Sequence, residues 1–147
     1  MTSNKHSKQV TDFGISKDHI TVVRYMGAKL ITEMMNQGQV FEAYIHAQLS
    51  IEKILWDKIV GLFKGEKAML VRRTIDNSRE RFQTSTYELI KWANYLGAIN
   101  NNEFSDLIDF NKKRNNLIHG HGLWHHTKTF REALKKGIRF LGKNNYC

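Results

Sequence analysis

Proline is absent from the 147-residue chain, and its apolar residues recur at three- and four-residue steps rather than in alternation. Glycines separate these periodic segments, as they commonly do at helix ends. Because alternation marks strands and proline interrupts helices, the pattern predicts an all-α protein. The expected architecture is an up-and-down helical bundle of about five to six helices with short connections.

The length of the chain favours one domain. With 147 residues, 41% of them hydrophobic, it is long enough to bury a core without disulfides or metals. Its start is polar and shows no helical pattern. We therefore expect a flexible polar tail over residues 1–17 and a single helical domain over residues 18–147.

Six helical segments are predicted. They cover about residues 18–35, 39–63, 66–82, 85–96, 102–118 and 127–141. Asp18 is expected to cap the first segment, and Thr84 or Ser85 the fourth. Along the second segment, helical spacing predicts one core-facing row, made of Phe41, Tyr44, Ile51, Leu55, Ile59 and Leu62.

The cysteine content and the hydropathy suggest where the protein acts. Its single cysteine, Cys147, offers neither a disulfide framework nor a cysteine cluster for zinc. No apolar run approaches the roughly 18 to 20 residues of a membrane helix, and the start lacks the apolar core of a secretion signal. The expectation is a soluble cytoplasmic protein with no membrane partner.

The net charge of +9 is concentrated near the end of the sequence. Residues 1–110 hold 14 basic and 13 acidic side chains, whereas residues 111–147 hold 9 basic ones and the single acid Glu132. A basic surface attracts polyanions, so nucleic acid is the expected partner, with a membrane surface as the weaker option. The alternative is a solvated face that only keeps the protein soluble.

Basic residues follow one side of the last predicted helix, opposite an apolar row that contains Phe130, Leu134, Ile138 and Leu141. The alternative interpretation is an ordinary amphipathic helix with a solvated basic face. Together with two lysines of the preceding helix, these residues form the predicted RNA-binding set: Lys112, Lys113, Lys128, Arg131, Lys135 and Arg139.

Arg114 and His119 lie near the end of the fifth predicted helix. Arginine offers a planar fork of donors that matches phosphate oxygens, and histidine exchanges protons near neutral pH. Arg114 borders the apolar row of its helix, where an unpaired charge is costly, so it should have an anionic partner or line a wet cleft. A structural ion pair with Asp109, Glu52 or another carboxylate is the alternative.

The spacing of these two residues raises a geometric question. In an ideal helix five residues turn through about 500°, which leaves the two side chains about 140° apart. They converge if the helix end is distorted or if a second subunit contributes. Gly120 and Gly122 allow the first solution, since glycine lets the chain leave the helix directly after His119.

At Arg114, Asn115 and His119 the chain resembles the HEPN domains, helical bundles found in prokaryotic toxins, defence systems and some RNA-processing proteins. Their motif is Arg, a polar residue, and His after four to six intervening positions, often followed by Gly as at Gly120. Residues 47–55 look like the early helix of the family, and residues 92–99 like the segment before its motif helix. The resemblance covers about residues 40–122.

The resemblance implies an HEPN-like homodimer that cleaves RNA without a metal or cofactor. In that scheme a ribose 2′-hydroxyl attacks the adjacent phosphate and leaves a 2′,3′-cyclic phosphate and a 5′-hydroxyl. His119 would move the proton, Arg114 would stabilise the charge on phosphorus, and Asn115 would orient the scissile group. A toxin or antiviral defence effector is the implied role, with an antitoxin or defence-system protein as a further partner.

Three alternatives stay open at this point. His121 also satisfies the family spacing and is a second candidate for the proton carrier. It stands where one branch of the family has a tyrosine that a nucleotidyltransferase antitoxin modifies, so that regulation is not expected here. Some family members bind RNA or nucleotides without cleaving them, as regulators or subunits of larger complexes. The last alternative is a helical protein that binds other proteins and neither cleaves nor binds RNA.

The histidines around the motif suggest a metal only weakly. His119, His121, His125 and His126 have no cysteine or closely spaced carboxylate beside them, so no metal is expected and a polar exposed turn is the simpler interpretation. Trp124, between them, is a candidate for stacking on a base or for packing against its own domain.

Overall fold

Six α-helices make up the described part of the chain, which comprises residues 25–81, 85–120 and 128–144 of a computed structural model. The side chains of residues 75–81 are outside the description. The all-α prediction and the helix number are confirmed for this part. The helices are α1 (Ala28–Asn36), α2 (Val40–Gly61), α3 (Glu66–Arg81), α4 (Thr86–Tyr95), α5 (Asn101–Ile118) and α6 (Lys128–Lys143).

The bundle is organised around α2, which packs against α1, α4, α5 and α6. Helices α5 and α6 also pack against each other, and α4 lies against α5. Residues of α2 at helical spacing are fully buried in this core, among them Tyr44, Ile51 and Leu55. They meet Phe110 of α5 and Leu134 of α6 in one apolar cluster. These contacts hold the end of α5 in place, where the Arg114 motif lies.

Helix α6 packs tightly against the core at Gly137. A Cβ atom at this position would lie 2.7 Å from Cδ2 of Phe110 and 3.2 Å from Cδ1 of Ile51. Phe110 is itself confined, because its ring stacks on Tyr44 with 5.1 Å between the ring centroids. The absence of a side chain at Gly137 therefore sets the distance between α6 and the other two helices.

Capping boxes fix the beginnings of α4 and α5. Ser85 Oγ accepts a hydrogen bond from the Glu88 backbone N–H, and Glu88 Oε2 accepts one from the Ser85 N–H. Asn100 and Glu103 make the same reciprocal pair at α5. Because such pairs satisfy donors that a helix start leaves free, they define where each helix begins. Of the two caps predicted for the fourth segment, Ser85 is the one used; Thr84 lies outside the described residues.

The predicted first helix differs from the observed one. Residues 25–27 are not helical, and α1 begins at Ala28 with Gly27 as its N-cap residue. The extended backbone of Gly27 interrupts the apolar pattern that appeared continuous in the sequence. The proposed cap Asp18 and the tail over residues 1–17 lie outside the described residues.

The predicted apolar row of α2 is correct in its middle and wrong at its ends. Phe41 and Leu62 are 47% and 46% exposed, whereas the row members between them are buried. Neighbouring helices cover the row from Tyr44 to Ile59 but leave Phe41 and Leu62 open to solvent. Among the described helices, α3 packs against α2 alone, and its Met69 and Leu70 are exposed. Helical periodicity gives the side of a helix that faces the core, but not how far along the helix that cover extends.

We expect the pH dependence of stability to reveal the environment of Tyr44, which is buried and donates its hydroxyl hydrogen to the backbone carbonyl of Phe130. Burial, together with the charge of Asp109, raises the pKa of Tyr44 above the ordinary value of 10.0. In alkali the unfolded chain loses this proton while the folded one keeps it, so stability should fall above about pH 10, by roughly 1 kcal/mol at pH 11.

Denaturant unfolding of the chain and of Tyr44→Phe over pH 8–11 measures this effect. The variant should be less stable at pH 8 by about 1 kcal/mol, since the carbonyl of Phe130 loses its donor, and the difference should shrink as the pH rises. A difference that stays constant across the range would contradict the assignment.

Candidate functional site

A polar pocket of about 290 Å³ lies where the middle of α2, the start of α4 and the second half of α5 meet. On α5 the spacing of Asn111, Arg114 and Asn115 places them on one side of the helix. The capping box at Ser85 fixes the start of α4, which lines the same pocket. The residues that line the pocket are Gln48, Glu52, Ser85, Thr86, Tyr87, Asn111, Arg114 and Asn115.

Hydrogen bonds hold the Glu52 carboxylate in one orientation. Gln48 Nε2 donates to Glu52 Oε1 at 2.9 Å and to Thr86 Oγ1 at 2.8 Å. The Thr86 hydroxyl donates in turn to Glu52 Oε1. This triangle joins α2 to the first turn of α4. It places a fixed negative charge in the same pocket as the guanidinium of Arg114.

The guanidinium of Arg114 is half-buried and incompletely bonded. Its Nη1 donates to Asn115 Oδ1 at 3.0 Å, and its Nε is buried without a hydrogen-bond partner. Burial lowers the pKa of Arg114, and the charge of Glu52 partly opposes that effect. The side chain thus keeps unused donor capacity at a site where a charge is costly to leave unpaired.

The ion pair that could have explained Arg114 is not present in the described part of the chain. Asp109, one proposed partner, binds Lys136 with 2.9 Å between the charged atoms. Glu52, the other, affects Arg114 by its charge without forming an ion pair with it among the described residues. The outcome matches the other expectation for Arg114, a position in a polar cleft.

His119 lies at the end of α5 and is exposed. Its backbone N–H bonds to the carbonyl of Asn115 at 3.0 Å, and Gly120 then takes a left-handed conformation with φ of 76°. The chain therefore leaves the helix directly after His119, as the glycine predicts. His119 is not a lining residue of the Arg114 pocket. The described chain brings Arg114 and Asn115 together, but it does not add His119 to them.

The predicted basic side of α6 faces solvent, while its apolar side is packed. Phe130, Leu134 and Leu141 are buried, and Ile138 is half-buried. Exposed members of the predicted RNA-binding set are Lys112, Lys128, Arg131, Lys135 and Arg139, and Lys113 is half-buried.

Some of these cations already have acidic neighbours. Arg139 Nη2 lies 3.2 Å from Asp106 Oδ2, and Lys128 Nζ lies 3.9 Å from Glu132 Oε1. Because 90% of the Lys128 side chain is exposed, its pair is held loosely. A bound polyanion would have to compete with both acids. Arg131 and Lys135 are exposed without such a partner among the described ion pairs.

Sequence reasoning missed several members of the pocket. Gln48, Thr86 and Asn111 were not proposed as site residues, and Ser85 was proposed only as a helix cap. One signal was available for Asn111, which lies three residues before Arg114 beside the apolar row and is 5% exposed. A buried amide at such a position suggests a polar neighbour across the helix interface. The contact between α2 and α4 had no comparable signal.

Within residues 25–81, 85–120 and 128–144, no group of three histidine, cysteine, aspartate or glutamate side chains is placed to hold a metal ion. His121, His125, His126 and Trp124 lie outside the described residues. None of the described helices has the length and apolar content needed to span a bilayer.

Comparison of the chain with protein-family models, with curated proteins and with solved structures finds no match in any of the three.

Proposed function

We propose that this chain is a metal-independent endoribonuclease, a toxin or antiviral defence effector, whose reaction centre uses Arg114, Asn115 and His119. One observation carries the proposal. The Arg114 guanidinium is half-buried in a polar pocket, with its Nε unpaired and no ion pair among the described residues. An anionic ligand would satisfy this charge. The resemblance to HEPN domains supports an RNA phosphate as that ligand.

The proposed reaction needs one acid/base group and one fixed cation. The ribose 2′-oxygen forms a bond to phosphorus while the bond from phosphorus to the 5′-oxygen breaks. His119 takes the proton from the 2′-hydroxyl and passes it to the leaving 5′-oxygen, and Arg114 stabilises the added negative charge on the phosphoryl oxygens. Asn115 orients the scissile group, and its contact with Arg114 Nη1 keeps the guanidinium in place. The chemistry requires no metal or cofactor.

A homodimer explains how His119 reaches the phosphate. His119 is exposed at the helix end and does not line the pocket of Arg114 in its own chain. A second copy could bring its own His119 to that pocket, as the family resemblance implies. Sedimentation should then give about twice the 17.2 kDa mass of one chain.

Mixing two inactive variants tests whether the centre is shared. Arg114→Ala and His119→Ala each damage every site of their own homodimer. If arginine and histidine come from different chains, one site in each mixed dimer is intact, and an equal mixture should recover about a quarter of the unmodified activity. Refolding the two proteins together, with separate refolding as the control, measures the recovery. A mixture as inactive as its components would place both residues of each site on one chain.

Cleavage of RNA in EDTA tests the proposed activity directly. The purified chain should cut RNA in the presence of the chelator and leave 2′,3′-cyclic phosphate and 5′-hydroxyl ends, which end-specific labelling identifies. Activity that EDTA abolishes, or products with a 3′-hydroxyl and a 5′-phosphate, would contradict the mechanism, because metal-dependent hydrolysis gives those results.

A second candidate is a non-catalytic module that binds RNA or a nucleotide and acts as a regulator or as a subunit of a larger complex. It is favoured by the position of His119 outside the Arg114 pocket, since the pocket needs no histidine to hold a phosphate. Salt-dependent RNA binding that Arg114→Ala weakens, with no cleavage of the same RNA, would support this candidate over the enzyme. An antitoxin or defence-system protein is a proposed partner in either case.

The basic side of α6 should contribute to RNA affinity through counterion release. Four phosphate contacts from Lys128, Arg131, Lys135 and Arg139 would give a log–log slope of about −3 for single-stranded RNA against salt. Lys135→Ala should reduce that slope by about 0.7, because one contact is lost. Fluorescence anisotropy across a salt series, in an inactive His119→Ala background, measures it. Lys64→Ala, also exposed but between α2 and α3, is the control, and equal slopes for both variants would exclude Lys135 from the contact.

A further inference from the structure

Helix α4 exposes an unusual amount of aromatic surface for ten residues. Tyr87, Trp92 and Tyr95 are 48%, 56% and 84% exposed, although their neighbours Leu89, Ile90 and Ala93 are buried in the core. The helix is therefore anchored on one side and presents aromatic rings on the other. A group of large exposed rings, unlike a single exposed apolar residue, commonly marks a binding surface.

The rings and a cation form one row. Tyr87, Lys91 and Tyr95 follow each other at four-residue steps, which places them on the same side of α4 over about 12 Å. Lys91 Nζ lies 5.2 Å from the centroid of the Tyr87 ring. The Trp92 and Tyr95 rings meet edge to face, with 6.1 Å between centroids and an angle of 86°. These two contacts restrict the orientation of the four side chains.

The row borders an open cavity of about 540 Å³ between α4 and the start of α5. Asn94 adds an amide to its wall, and the half-buried Phe104 closes it from α5. At the other end of the row, Tyr87 also lines the pocket of Arg114. The cavity and the pocket thus lie along one face of α4. The cavity is lined by Glu88, Lys91, Trp92, Asn94, Tyr95 and Phe104.

We propose that this face, the aromatic face of α4 made of Tyr87, Lys91, Trp92 and Tyr95, binds unpaired bases of single-stranded RNA beside the phosphate held at Arg114. The inference rests on the proposed function and adds the substrate class to it. Every base has a π-face that stacks on tyrosine or tryptophan, and Lys91 supplies a cation for the backbone. Bases inside a duplex cannot reach such a surface, so single-stranded RNA is the substrate class.

Two features favour RNA over a protein partner. The centre of a protein interface is depleted of charged residues, yet the cation of Lys91 lies beside the Tyr87 ring and lines the same cavity as Trp92 and Tyr95. The face also adjoins the Arg114 pocket, because Tyr87 lines that pocket, so a strand with its phosphate at Arg114 has the rings of α4 next to it. The amide of Asn94 adds a donor and an acceptor to the wall of the cavity.

Binding of a labelled 12-nucleotide single-stranded RNA tests the proposal, in the His119→Ala background so that the RNA stays intact. Trp92→Ala and Tyr95→Ala should each weaken binding by about 5- to 150-fold, the effect expected for losing one stacked base. Phe41→Ala is the matched control, since Phe41 is a 47% exposed aromatic residue of α2 that lines neither pocket. Affinities of Tyr95→Ala and Phe41→Ala that agree would overturn the proposal.

A second probe distinguishes binding of the bases from binding of the sugar–phosphate backbone. An abasic oligomer of the same length and charge should bind the unmodified face more weakly than the RNA does, and Tyr95→Ala should weaken it no further. Equal losses on both oligomers would contradict stacking. Should Trp92→Ala and Tyr95→Ala instead convert a dimer to a monomer, with base-dependent affinity unchanged, the face would be an interface between copies and the proposal would fail.

Failure of this inference is distinguishable from failure of the proposed function. RNA binding that depends on Arg114 but not on the bases would contradict the role of the aromatic face and would leave the proposed ribonuclease function intact. RNA cleavage that persists in both Arg114→Ala and His119→Ala would contradict the proposed function, whatever the binding of the two oligomers shows.

Discussion

Alanine in place of Arg114 or of His119 is expected to slow RNA cleavage by about 10²- to 10⁴-fold while leaving the helical bundle folded. His119 is exposed, so its removal costs little stability. Arg114 is half-buried and has no ion pair among the described residues, so its loss breaks one hydrogen bond, to Asn115. For a structural arginine in a salt bridge we would instead expect a marked fall in stability.

Single-turnover cleavage of one RNA in EDTA, with circular dichroism of each protein, measures both effects. His121→Ala is the informative control because the motif spacing leaves two histidines as candidates. We expect His121→Ala to retain most of the activity if His119 carries the proton. Loss of activity in His121→Ala with activity kept in His119→Ala would exchange their roles. Activity kept in Arg114→Ala and His119→Ala would mean that the cleavage arises elsewhere.

Arg114→Ala and His119→Ala should also differ in their effects on RNA affinity. Arg114 is proposed to hold the phosphate in the ground state as well as to stabilise the transition state, so Arg114→Ala should weaken RNA binding together with turnover. His119 is proposed to act on protons alone, so His119→Ala should lower turnover with little change in affinity. If the two variants lose RNA affinity equally, His119 acts in binding, as expected for the second candidate function, the non-catalytic module.

The sequence predicts the environment of Arg114 only in part, for a physical reason. Its position on α5, beside the apolar row, is enough to show that its charge needs either an anionic partner or a polar cleft. Which of them occurs depends on Glu52 and Thr86, which belong to other helices and meet Arg114 through the packing of α2, α4 and α5. Side-chain spacing along one helix carries no information about such a meeting.

Local signals, by contrast, predicted helix ends well wherever a specific residue fixes them. Ser85 caps α4 as expected, and Gly120 ends α5 directly after His119. The predicted start of α1 was wrong because the apolar pattern runs on through residues 25–27, which are not helical and end in the extended backbone of Gly27. The aromatic residues of α4 show the opposite limit, since an exposed Trp92 and a buried Ile90 look equally apolar in a sequence.

Leucine at Gly137 is expected to destabilise the fold by about 3 kcal/mol or more, the largest stability effect we foresee for one substitution. Its Cβ alone would lie 2.7 Å and 2.9 Å from two ring carbons of Phe110, and further side-chain atoms would need space that the core lacks. Phe110 is 1% exposed and stacked on Tyr44, so its ring has nowhere to move. Relief requires α6 to shift away from α5 and α2, which opens the core.

Gly142→Leu is the matched control, because it makes the same change on the same helix where a Cβ meets nothing within 4 Å. There leucine should stabilise the chain by about 0.5–1 kcal/mol, since glycine is a poor helix former. Thermal unfolding should lower Tm by roughly 6–12 °C for Gly137→Leu and raise it slightly for Gly142→Leu. Because helix propensity is common to both variants, the difference between them isolates packing at Gly137, and two equal shifts would mean that α6 does not approach Phe110 this closely.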